Sequence, residues 1–373
     1  MKAYKTFIAV FVGIFAFVAA GFAVVLVALV LNDPFQLFLK NPKHKFFTDM
    51  RMQAAGIIRH YGPFDGVIIG TSMVQYTDPR IASQKLGGKW INLSLASARF
   101  DERTIVLKYL FKHFTPKKII YSLDLYYTYS DKNKAYPKFE FLYDDNCFND
   151  LRLYLNKKFI KCAFGDKNKE CYGTETDMYK TTLLYRFPSH QVRFGGFENW
   201  MKHNNNHKVV IAAIKYLANL SKLPKFYAKP FVFDAKAKAA LAYWKRNILD
   251  LASAHPQTEF ELIIPTYSKL YYYTQSKEVN GRIAGLLREF VKASEGYANV
   301  RIYGFDDTPY ASNIANYMDT VHYNKDLNDA QLGAIATHTH IVNAKNIDTY
   351  ITAWHRLAAE YDLQPLINRA KRK

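Results

Sequence analysis

Val67-Ile68-Ile69-Gly70-Thr71-Ser72-Met73 is the stretch from which the fold can be read. Three β-branched apolar residues in a row, with no polar alternation, read as a strand buried on both faces, as in parallel sheets. Gly70-Thr71-Ser72 reads as a small-residue turn that presents a serine. Just downstream, residues 78–86 open a short helix, and residues 90–95 form a second strand with Asn92 and Ser94 as its polar positions. Residues 101–114 carry apolar side chains at helical spacing until Pro116 breaks the pattern, and residues 118–125 form a third strand. The order β, α, β, α, β predicts a parallel sheet covered by helices.

The alternation then stops. Residues 130–233 hold no regular succession of strands and helices, apart from a helix over 208–220, and are too long for an ordinary loop. They read as an insertion, a lid over the site. The pattern resumes over 234–345. A helix over 234–254 has an Asp at its N-cap, and a strand over 259–264 runs into Pro265-Thr266-Tyr267-Ser268. A helix over 280–294 and a strand over 300–304 follow, and Asp306-Asp307 reads as a loop and helix-cap pair. Next comes Tyr317-Met318-Asp319-Thr320-Val321-His322-Tyr323, in a loop before a helix over 328–341. His338 and His340 lie on that predicted helix and face different sides, which gives no metal site. Residues 346–373 read as a C-terminal helix and basic tail.

Residues 7–31 carry no charge and are mostly Phe, Val, Ala and Leu. That length crosses a bilayer of about 30 Å and exceeds the apolar core of a signal peptide. It predicts an uncleaved signal anchor, although Ala19-Ala20-Gly21-Phe22-Ala23 also offers a cleavage site. Residues 1–6 are then a cytoplasmic tail. Residues 32–59 are a juxtamembrane connector with a helix from residue 47, and a first domain part over 60–129 lies outside. Lysines on both sides of the span leave charge a weak guide to orientation; the short N-terminal tail favours the cytoplasmic side for it.

The composition is globular, 49% hydrophobic and 22% charged, which excludes a disordered chain. The 28 tyrosines fit sugar-binding clefts or membrane-facing surfaces, or a compositional bias. The net charge of +19 is spread along the chain, with no zinc-finger spacing, RNA-binding signature or arginine-rich tract, so nucleic acid is not the expected partner. A membrane surface, an acidic glycan or a lysine-rich solvated surface accounts for it. Cys147, Cys162 and Cys171 lack the spacing of a zinc site; they are either all unpaired or include one bridge, Cys162–Cys171.

In an open parallel sheet, ligands bind outside the carboxyl ends of the strands. Ser72, Ser97, Asp124 and Thr266 each follow or end a strand, and Asp306, Asp319 and His322 follow the last one. A serine needs a base to become a nucleophile, and the base needs an orienting carboxylate. Ser72, His322 and Asp319 supply that set.

On these residues the chain resembles the SGNH (GDSL-like) hydrolase superfamily. More narrowly, it resembles its membrane-anchored bacterial members, such as the alginate O-acetylation proteins and the D-alanyl-transfer protein DltD. Gly70-Thr71-Ser72 stands where that family has Gly-Asp-Ser, and Asp319-Thr320-Val321-His322 matches its Asp-x-x-His block. The resemblance covers about residues 60–125 and 234–345 and implies a flavodoxin-like three-layer α/β/α fold. It implies Ser72 as nucleophile, His322 as general base and Asp319 as its orienting acid. Asn92, Thr71, Ser97 and Asp124 fall in the oxyanion and substrate-binding blocks. Ser97 takes the place of the family's oxyanion glycine, and Leu123-Asp124-Leu125 replaces its Gly-x-Asn block. An ionised Asp cannot donate to an oxyanion, and one lost donor costs about 100–1,000-fold in rate. The implied activity is an O-acyl esterase or O-acyltransferase on a cell-envelope polysaccharide, at the bacterial inner membrane with its main domain in the periplasm or outside. Neither cofactor nor metal is implied, and a polytopic membrane acyltransferase is an implied partner. A non-catalytic glycan-binding or assembly protein on the same fold is the alternative.

Overall fold

The computed structural model describes residues 2–40, 46, 47, 49–125, 137–155, 160, 161 and 188–372. Among them is a five-stranded parallel sheet: β1 (Gly66–Ile69), β2 (Trp90–Asn92), β3 (Lys118–Ser122), β4 (Glu259–Ile263) and β5 (Val300–Tyr303). The strand order is β2-β1-β3-β4-β5, the flavodoxin-like order, which reverses at β1. Val67, Ile68 and Ile69 are fully buried, as their unbroken apolar run requires. Gly70 ends β1 beside β3; a Cβ there would lie 2.4 Å from the Ser122 Cβ, so only glycine lets the two strand ends converge.

The crossover connections between the parallel strands place the helices in two layers. Pro79–Leu86 packs against Lys325–Thr337 on one face. On the other face are Phe100–His113, the run Ala235–Trp244 continued through a π-turn to Ala254, and Lys277–Ser294. The result is the expected three-layer α/β/α fold. Asp234 caps its helix by accepting the Ala237 N–H, and Ser276 caps Lys277–Ser294 by accepting the Val279 N–H.

Several boundaries differ from the sequence reading, each for a local polar reason. The helix expected over 47–60 is a 3-10 turn, Met50–Met52, then a helix, Ala54–Tyr61; the Asp49 carboxylate accepts the Arg51 N–H and sets up the turn. The second strand stops at Asn92, whose side chain accepts from the Ser94 N–H and turns the chain. The last sheet-layer helix is Lys325–Thr337, capped by Asn324 and ended by His338 in the left-handed conformation. His338 and His340 therefore lie beyond the helix, both at positive φ. Asp306 is not a helix cap. It is buried and accepts from the hydroxyls of Tyr272 (2.8 Å) and Tyr350 (3.0 Å). Burial pushes its carboxyl up to about 6, against the pull of Lys269 and the two tyrosines.

The N-terminal helix, Lys2–Asn32, has 31 residues, about 46 Å at 1.5 Å per residue. It is long and apolar enough to cross a membrane. Its last turn and the residues after it are packed into the domain: Leu29, Asp33, Phe35, Gln36 and Leu37 are all buried. The Asp33 carboxylate accepts the N–H groups of Leu37, Phe38 and Leu39 and the Tyr154 hydroxyl. The connector that follows the helix thus begins docked on the domain.

Of the expected insertion over 130–233, parts lie outside the described residues. The described parts include helices Phe197–His203 and Lys208–Ala218; the latter packs on the C-terminal helix Gln364–Lys371. Cys147 is exposed and unpaired, whereas Cys162 and Cys171 lie outside the described residues.

Candidate active site

Ser72 follows β1 at the point where the strand order reverses. Its Oγ lies 2.9 Å from His322 Nε2, across 250 residues of sequence. His322 Nδ1 lies 2.7 Å from Asp319 Oδ2. Because the buried carboxylate accepts the Nδ1 proton, Nε2 is left as the acceptor and the serine hydroxyl donates to it. The other Asp319 oxygen accepts the N–H groups of Val321 (2.8 Å) and His322 (2.9 Å). Burial alone would raise the Asp319 carboxyl, but the facing imidazole and these N–H donors hold it below its ordinary value. Burial would lower the His322 imidazole; the Asp319 charge and hydrogen bond outweigh that and raise it, with a further contribution from Asp124. The arrangement is a hydroxyl, an imidazole and a buried carboxylate in hydrogen-bonded series, the geometry that nucleophilic catalysis by serine requires.

The loop that carries the base is tied down from two sides. An antiparallel bridge joins Tyr317 to Tyr323, and the Ser268 hydroxyl donates to the Thr320 carbonyl at 2.7 Å. The other ties come from the inserted region. The Trp200 indole donates to the Tyr317 carbonyl (2.7 Å), and the Asn204 amide donates to the Met318 carbonyl (2.8 Å). These carbonyls belong to the two residues just before Asp319. Nearby, Tyr76 bridges His190 and Met318.

The serine turn is tied down from below. The Thr71 hydroxyl donates to Asp124 Oδ1 at 2.7 Å and accepts the Met73 N–H. The second Asp124 oxygen accepts from Ser122 (2.7 Å) and from the Arg103 guanidinium (2.7 Å). Both side chains of this ion pair are fully buried. Arg103 also donates to the Ser122 and Ala98 carbonyls.

Of the expected oxyanion and substrate-binding set, only Thr71 lines the cavity beside Ser72. Asp124 is committed to Arg103, Thr71 and Ser122, and braces the turn. Asn92 is buried, and its amide donates to the Val74 and Thr77 carbonyls, which fixes the chain after the serine. Ser97 is exposed, with φ at +56°. That is a conformation glycine usually supplies, and Ser97 is not among the cavity-lining residues. Thr266 is buried, its carbonyl accepting from the Tyr317 hydroxyl.

Sequence reasoning missed Arg103, Trp200 and Asn204. Arg103 did leave a signal: it shares a helix face with Phe100, Leu107 and Leu110, all buried, so the helical period puts a cation inside. Trp200 and Asn204 sit in a stretch without periodicity and left none.

The cavity has a volume of about 440 Å³ and contains Ser72 and His322 in its wall. Met73, Leu125, Val209, Tyr267, Val279, Ile283 and Val321 give it a largely apolar lining. Gln275 and Arg282 are polar exceptions, and Arg282 lies 3.4 Å from Asp234. Among the described residues, no cluster of His, Cys, Asp or Glu is arranged to hold a metal ion.

No family model matches the chain, and no curated protein matches it. Among solved structures, one from Streptococcus pneumonia, provisionally described as a platelet activating factor, is 11% identical. The match covers 78% of this chain and 90% of that one with a TM-score of 0.38, a likeness too slight to carry an argument about this chain.

Proposed function

We propose that this chain is a membrane-anchored serine O-acyl esterase or O-acyltransferase of the SGNH type. Its substrate is a cell-envelope polysaccharide, and it works through an acyl-Ser72 intermediate. The observation that carries the reading is the series Ser72–His322–Asp319, at 2.9 and 2.7 Å, at the switch point of a parallel sheet. Ser72 Oγ attacks an ester carbonyl while His322 Nε2 takes its proton. The leaving alcohol departs with that proton, and water or a sugar hydroxyl then releases the acyl group by the same route in reverse. No cofactor is required. The apolar N-terminal helix supports an inner-membrane anchor with the domain in the periplasm or outside, and a polytopic membrane acyltransferase is the proposed source of acyl groups.

A second reading is a non-catalytic envelope protein that uses the fold for glycan binding or assembly. The Arg103–Asp124 pair favours it, since it leaves that block without an oxyanion donor. The test uses the full chain in detergent micelles, because removing residues 1–44 would strip Asp33, Phe35 and Leu37 from the core. Incubated with p-nitrophenyl esters, the protein is expected to show an acyl adduct by intact mass that Ser72→Ala lacks. Folded protein with neither adduct nor turnover would favour the second reading.

A further inference from the structure

We infer that the acyl group transferred through Ser72 is a chain longer than acetyl, seated against Leu125, Tyr267 and Ile283. The inference rests on the acyl-serine reading above and deepens it. An acetyl group has only a carbonyl and a methyl to place. The cavity that opens beside Ser72 and His322 is about 440 Å³, within the range that takes a whole small ligand. Its lining is hydrocarbon on most sides, and the Thr71 hydroxyl that faces this region is already committed to Asp124. Tyr271, Gln275 and Arg282 are a polar minority of the lining; against the apolar walls a sugar's hydroxyls would lose water without finding partners. These walls gain from methylenes, about fourfold in binding for each one buried.

A second observation gives the chain a direction. A small void of about 10 Å³ lies behind the main cavity and shares Leu125, Tyr267 and Ile283 with it. Beyond the shared wall are Leu123, Ile264, Leu287 and Trp354. The carboxylate of the void, Asp306, is already engaged by Tyr272 and Tyr350. The void is no larger than one water, and the buried Ile283 side chain is part of the wall between it and the cavity. A chain entering from Ser72 therefore meets a wall backed by more hydrocarbon. Gln275 and the Asp234-paired Arg282 line the main cavity but not the void.

The test measures acylation rates of the full chain in fixed detergent with p-nitrophenyl acetate, butanoate and hexanoate. Each reaction forms the Ser72 Oγ–acyl bond, breaks the acyl–nitrophenolate bond and sends the serine proton through His322 to the leaving group. Rates are corrected for spontaneous hydrolysis. Butanoate and hexanoate are expected to acylate at least fivefold faster than acetate. Ile283→Trp, which fills the wall, is expected to reduce the hexanoate-to-acetate ratio at least fivefold, and this comparison cancels partitioning of esters into detergent. If that variant does not fold, Ile283→Ala serves instead and should raise the same ratio. Acylation of Ser72 with acetate as fast as with the longer esters would overturn the inference while leaving the serine mechanism standing. No acylation by any ester would overturn both.

Discussion

Ser72 stands on a turn braced by a buried ion pair, Arg103 with Asp124, whereas His322 stands on a loop braced by neutral donors, Trp200 and Asn204. The first brace lies inside the sheet and its covering helix, and its partners are 21 residues apart. The second reaches in from the region that interrupts the α/β alternation, more than 110 residues away in sequence. The chemistry of each suits its place. A buried charge pair is rigid and intolerant of losing one member, because the remaining charge has no solvent. A neutral N–H to a carbonyl holds a loop with less at stake. The half of the site that comes with the fold thus has a charge pair among its braces, and the half that comes with the loop adds neutral donors from outside the alternating pattern to the Ser268 hydroxyl within it.

The largest effect falls where the two halves meet. Asp319→Asn is expected to cut turnover of a p-nitrophenyl ester by about 10⁴-fold, the scale seen when a triad carboxylate becomes an amide. The sign of its pH effect follows from the raised His322 imidazole. With Asp319 in place, the free base appears only above that raised value. Without the charge the value falls, so the residual pH–rate limb should move to lower pH. A limb that stays in place would show that Asp319 does not set the basicity of His322.

Arg103→Met tests the charged brace. It should lower unfolding stability by about 3–5 kcal/mol, the cost of leaving one member of a buried pair unmatched. Asp124→Leu placed in the same chain should recover part of that loss, as read by denaturant melts. A single variant within about 0.5 kcal/mol of wild type would remove the distinction between the two braces.

Trp200→Phe gives the smallest effect. It keeps most of the ring volume and leaves the Tyr317 carbonyl unsatisfied, at about 1–3 kcal/mol. Its signature should be a turnover loss of about tenfold or less, with the rate of Ser72 acylation falling in parallel. Equal stability losses for Arg103→Met and Trp200→Phe would refute the claim that charge and neutral bonds divide the site.

The parts of this site legible in the sequence are those with a local signature. An apolar triplet before Gly70 reads as a central strand, and Asp319 and His322 are three residues apart, so one loop brings them together. The order of strands and helices gives the layer arrangement, because right-handed crossovers leave few alternatives. The illegible parts depend on which distant residue answers a polar group. Asp124 looks like a substrate contact until Arg103 is placed behind it. Asn92 looks like a site residue until the Val74 and Thr77 carbonyls come round to meet it. Asp306 follows a strand like any site carboxylate, and only packing shows Tyr272 and Tyr350 closing over it. His338 ends a helix in a conformation that glycine usually supplies, so no glycine marked the stop.

The docked end of the N-terminal helix bears on where the chemistry can happen. Asp33 accepts from three N–H groups and a tyrosine hydroxyl and so fixes the path of the chain where the helix meets the domain. Were this helix set across a bilayer, as proposed, the docked end would restrict the height and bearing of the cavity mouth above the lipid surface. On the proposed anchoring, such a site would not sweep a volume as a tethered enzyme does; it would occupy an address to which its substrate is delivered.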